Sequence, residues 1–80
     1  MSVEKMIEKL LRGESDANVR FADLCQVLEV KGFRMRVSSR HHIFTKTGVV
    51  ERINLQREGA NAKPYQVKQV RKILSQYKLF

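Results

Sequence analysis

The sequence predicts an α+β fold in which a three-stranded antiparallel sheet carries helices on one of its faces. Three observations point there. Apolar residues recur at helical spacing near both ends of the chain, they alternate every second position in the middle, and glycines separate the two regimes.

Val3, Met6, Ile7, Leu10 and Leu11 fall at i, i+3, i+4, i+7 and i+8, so all five share one helical stripe, and Gly13 ends that helix. The polar stretch Glu14-Ser15-Asp16-Ala17-Asn18 follows, and either Asp16 or Asn18 is suited to cap the next helix through its side-chain oxygen. That second helix carries Phe21, Leu24, Cys25 and Leu28 on one face and stops at Gly32, a residue at ease in the left-handed position past a helix end. Beyond it Phe33, Met35 and Val37 alternate with Arg34, Arg36 and Ser38, the pattern of a half-buried strand. A second strand through His42-Ile43-Phe44-Thr45 turns at Lys46-Thr47-Gly48 and returns through Val49 to Leu55, which makes a meander. Arg57 to Lys63 reads as a loop. Pro64 then opens a last helix, with Val67, Val70, Ile73, Leu74 and Tyr77 inward and Lys68, Arg71, Lys72 and Ser75 outward.

Eighty residues form one domain, 1–80, too small for a deep cleft, so any active site lies near the surface and its substrate is large or extended. No apolar run approaches the ~20 residues that span a bilayer, and Met1-Ser2-Val3-Glu4-Lys5 lacks the pattern of a secretory leader, so the expected location is the cytoplasm, away from membranes. Cys25 is the single cysteine and reads as a core residue; no disulfide can form within the chain and no metal-ligand spacing occurs, so no cofactor is expected.

Lysine and arginine number 16 against 8 acids, for a net charge of +8. The excess is segregated. Residues 1–30 hold four bases and six acids, whereas residues 31–80 hold twelve bases against Glu51 and Glu58, which favours a polyanionic partner for the second part.

The strongest local feature is Ser39-Arg40-His41-His42-Ile43-Phe44, with both histidines of the chain side by side where the second strand begins. Neighbouring residues of a strand point to opposite faces, so His42 sides with Phe44 and His41 with Ile43 and Thr45. Imidazole titrates near neutral pH, which suits it to general acid or base work.

Together with Lys63-Pro64-Tyr65-Gln66-Val67-Lys68-Gln69-Val70 and the element order, this run resembles the HicA-like toxins, the mRNA interferases of bacterial toxin–antitoxin pairs, over roughly residues 4–79. The resemblance implies a double-stranded-RNA-binding-type fold, α-β-β-β-α, with an added N-terminal helix. It further implies metal-independent endoribonuclease activity on mRNA, a functional histidine at His41 or His42, and a HicB-like antitoxin as protein partner. Where that family has Gly-Ser, this chain has Ser39-Arg40. Arg36 and Arg40, beside the histidines, and Lys63, Lys68, Arg71 and Lys72, on or before the last helix, are the residues expected to hold RNA phosphates. The alternatives are an RNA-binding module without catalysis and a protein whose basic face binds an acidic partner.

Overall fold

Helix α1 (Val3–Arg12) opens the computed structural model, which describes residues 3–80; Met1 and Ser2, part of the leader reading, lie outside the described residues. Its buried stripe is narrower than the sequence suggests. Met6 and Leu10 are buried and Ile7 half-buried, but Leu11 is exposed. A single 3-10 turn, Asp16–Asn18, leads to α2 (Phe21–Val30). Neither Asp16 nor Asn18 caps α2, contrary to expectation: the cap residue is Arg20, without a side-chain hydrogen bond. Asp16 is taken by Arg71, and the Phe21 N–H donates to the Ala60 carbonyl at 3.0 Å, so a distant backbone oxygen does what a capping side chain would do. At the other end Gly32, with φ +93°, closes α2: its N–H reaches Glu29 O and the Phe33 N–H reaches Leu28 O, each at 3.0 Å.

Strands β1 (Arg34–Ser38), β2 (His41–Lys46) and β3 (Val49–Leu55) form an antiparallel sheet in the order β1-β2-β3. Register sets Met35 opposite Phe44 and Val37 opposite His42, while His42 and Phe44 lie opposite Leu55 and Ile53. Phe44, Ile53 and Leu55 are fully buried beneath the helices. The half-buried pattern expected of β1 does not hold. All five of its residues are exposed, Met35 and Val37 included, because the helices cover β2 and β3 and stop short of this edge; only Phe33, just before the strand, is buried.

Residues 57–63 are not a plain loop. Strands β4 (Arg57–Glu58) and β5 (Asn61–Ala62) form a two-residue hairpin that docks on the chain before α2 through an Arg20–Asn61 bridge and an Ala62 N–H bond to Val19 O at 2.9 Å. Helix α3 (Pro64–Gln76) has proline in its first turn and buries Val67, Val70, Ile73 and Leu74 as its periodicity requires. Gln66 is buried as well. Helices and sheet share one apolar core, and the Cα radius of gyration of 11.4 Å matches the ~12 Å of a single compact unit of this length.

Candidate functional site

The β1–β2 hairpin has a two-residue turn, Ser39-Arg40, and Ser39 adopts φ +57°. Positive φ at the first central position but not the second is the pattern of a type II′ hairpin, where glycine is the usual occupant. The turn therefore keeps the backbone shape that glycine would give, at the cost of strain in a serine. It delivers both histidines to the end of the sheet where β3 also ends.

His42 points toward the helices. Its ring meets Phe21 edge-on, with centroids 4.8 Å apart at 75°, and its Nδ1 is buried without a hydrogen-bond partner. A buried N–H without an acceptor is costlier and rarer than an unfilled lone pair, so the proton belongs on Nε2. An open cleft of about 340 Å³ is lined by His42 together with Arg40, Gln56, Arg57 and Lys63. The Arg57 guanidinium rests 4.9 Å from the centroid of the Phe21 ring, so one aromatic ring positions both His42 and Arg57.

His41 lies on the opposite face, and its ring is fixed by a short chain of hydrogen bonds. Lys63 Nζ can only donate, so the Gln56 atom 3.3 Å away is the amide oxygen. The Gln56 amide nitrogen then faces His41 Nε2 at 3.4 Å and donates to it. His41 therefore carries its proton on Nδ1, which donates to Asn54 Oδ1 at 2.9 Å. The result is a ring fixed in orientation, with its Nε2 facing only a long contact.

Gln66 clasps this strand end from α3. Its side-chain oxygen accepts from the Gln56 N–H at 3.0 Å and its amide nitrogen donates to Asn54 O at 3.2 Å. A backbone carbonyl within the end of β3 and the N–H just beyond it are thereby satisfied inside the protein.

The remaining expected phosphate contacts separate into three groups. Arg40 and Lys63 join the histidine cleft. Arg36 stands on the open face of the sheet, where it lines a second depression of about 420 Å³ with Arg34, Ile43, Thr45 and Arg52. Lys68 and Lys72 are exposed on α3 and line neither. Arg71, expected to face outward with them, instead pairs with Asp16 at 2.8 Å and also reaches Leu10 O at 3.4 Å. That pairing holds the arginine above its already high ordinary range. A further depression, about 550 Å³, lies at the far end of the sheet around Gly32, Thr45 and Lys46, away from both histidines.

Sequence reasoning missed Asn54, Gln56, Arg52 and Arg57. Asn54 was detectable in principle, as a polar residue alternating with Ile53 and Leu55; Gln56 and Arg57 follow the strand and carry no periodic signal. Among the described residues, no three or more His, Cys, Asp or Glu side chains converge as a metal site would require, and no helix is long and apolar enough to cross a membrane. Compared with known proteins, the chain matches no family model, no curated protein and no solved structure.

Proposed function

We propose that this protein is a metal-independent endoribonuclease acting on mRNA, the toxin of a HicA-like pair, with His41 as general base. The single observation that carries the reading is the His41 ring, held between Asn54 and Gln56, because Gln56 also lines, with Lys63, Arg40 and Arg57, the cleft that His42 enters from the other face. A base needs an oriented ring with a lone pair facing the substrate, and a substrate 2′-hydroxyl replaces the long Gln56 contact. As the 2′-oxygen, its proton taken by His41, bonds to phosphorus, the P–O5′ bond breaks to leave a 2′,3′-cyclic phosphate and a 5′-hydroxyl protonated by water. The cleft cations stabilise charge on the phosphate, and the Nε2–H of His42 donates to the same group. Arg34, Arg36 and Arg52, on the His41 side of the sheet, hold the flanking backbone without reading its sequence.

The order α2, three antiparallel strands, α3, with the small β4–β5 hairpin set between β3 and α3, supports a double-stranded-RNA-binding-type topology preceded by α1. A HicB-like antitoxin is the partner that this reading implies.

The test is cleavage of a purified mRNA in the presence of a chelator, with wild-type, His41→Ala and His42→Ala chains. Expected are fragments from the wild type, none from His41→Ala despite retained RNA binding, and weakened binding for His42→Ala. Wild-type cleavage by His41→Ala would sink the assignment.

A further inference from the structure

The edge of β1 is an open strand site. In a two-residue hairpin the residues flanking the turn form a hydrogen-bonded pair, here Ser38 with His41. Alternation then gives the Arg36 and Arg34 backbone groups to β2 as well, and turns the N–H and C=O of Met35 and Val37 outward. Among the described residues β1 pairs with β2 alone, and no strand lies beside that outward row.

The two faces along this edge differ in chemistry. On the helix side Met35 is 44% and Val37 54% exposed, and a shallow groove of about 250 Å³ runs between Met35 and α2 over Ala22 and Cys25, with Glu29 and Arg57 among its lining residues. On the open side stand Arg34 and Arg36, in a depression that Met35 also borders. A second copy of this chain fits poorly, since antiparallel pairing of two β1 strands centred on Met35 or Arg36 sets arginine against arginine.

We propose that β1 accepts an extended acidic segment of a partner protein as a fourth strand. Its apolar side chains alternate onto the exposed Met35 and Val37, and its carboxylates stand beside Arg34 and Arg36. Backbone pairing supplies affinity, while the split between an apolar and a cationic face selects the alternating pattern. This inference does not depend on the nuclease reading.

The probe is a capped peptide of alternating glutamate and valine, compared with a lysine–valine peptide and with a block-ordered peptide of the same glutamate and valine content. Expected is binding of the alternating acidic peptide only, with slowed hydrogen exchange at the Met35 and Val37 amides. Val37→Pro removes an outward N–H without touching the β1–β2 ladder, and it should weaken binding at least about tenfold while the urea midpoint stays close to wild type. Should that variant lose stability, Arg34→Glu with Arg36→Glu serves instead, and it should transfer the preference to the lysine–valine peptide. Equal binding of all three peptides, protection confined to residues away from β1, or no binding at all would overturn the proposal. So would a dimer of the free chain that Val37→Pro dissolves, because the occupant would then be a second copy.

Discussion

The guanidinium of Arg71 holds both carboxylate oxygens of Asp16, at 2.8 and 3.1 Å, across 55 residues of chain. This paired fork ties α3 to the turn between α1 and α2. Gly13 leaves room for it, because a Cβ there would sit 3.1 Å from the guanidinium, and φ +70° at this residue suits glycine as well. Arg71→Ala should therefore lower stability by about 1–2 kcal/mol, as loss of a charge-assisted, partly buried pair does. RNA binding at low denaturant should be unchanged. Urea unfolding with a filter-binding assay checks both, and a stable variant with weakened RNA binding would return Arg71 to the phosphate-contacting residues.

Ser39→Gly should stabilise the protein. Serine at φ +57° bears a steric cost that glycine does not, and relief of that strain outweighs the added freedom of the unfolded chain. The expected gain is about 1 kcal/mol, or roughly 4–8 °C in Tm for a domain of this size. Thermal unfolding by circular dichroism decides it, with Ser39→Val as the opposite case, expected to be less stable than wild type.

Cation loss in the cleft should appear as a changed salt dependence. Neutralising Arg40, Arg57 and Lys63 together should flatten the plot of log K against log salt by about two units for a single-stranded substrate. Neutralising Lys68 and Lys72, which lie outside the cleft, should cost less affinity and leave the cleavage rate of bound RNA intact. Titrations at several salt concentrations separate the two surfaces; equal slopes would show that the cleft holds no phosphates.

Burial pushes the Cys25 thiol up to about 11, with Glu29 adding to the effect and Arg57 opposing it. The folded chain then holds this proton more tightly than the unfolded one, so the thiol's contribution is complete below its ordinary value of 9.0 and is lost as pH rises toward 11. Partial solvent access keeps that contribution to no more than about 1–2 kcal/mol. Alkylation by iodoacetamide, followed against pH, should be slower in the native chain than in urea and should rise only in the more alkaline range. An inflection at or below 9 would contradict it.

Gln66→Leu keeps the volume of a buried side chain but leaves the Gln56 N–H and the Asn54 carbonyl without their partners. A cost of about 1–3 kcal/mol is expected. Cleavage should fall further than the folded fraction does, because the same clasp steadies the residues that orient His41. Rates measured well below the unfolding transition test this, and wild-type cleavage there would make Gln66 a purely structural residue.

Local periodicity was enough to read the three helices, the strand order and the division of the histidines between two faces. Phe44 and His42 do share the helix side, as alternation requires. What escaped the sequence depends on contacts between distant segments. Nothing near Asp16 announces a partner 55 residues away, and two-residue strands such as β4 and β5 are too short for any period to register. Met35 and Val37 show why alternation alone misleads: it places side chains on a face but does not say whether a helix reaches over them. Gln56 and Lys63, which set the tautomer of His41, are ordinary surface residue types until the fold brings them together.

Gln66 has a further bearing on how such a protein is made. It belongs to α3, which leaves the ribosome after every strand of the sheet. A nascent chain that has completed β3 but not α3 carries both histidines yet lacks the side chain that clasps Gln56 and Asn54, as well as the apolar residues α3 adds to the core. On the proposed function, the message being translated stays out of danger from its own product until translation has passed this helix.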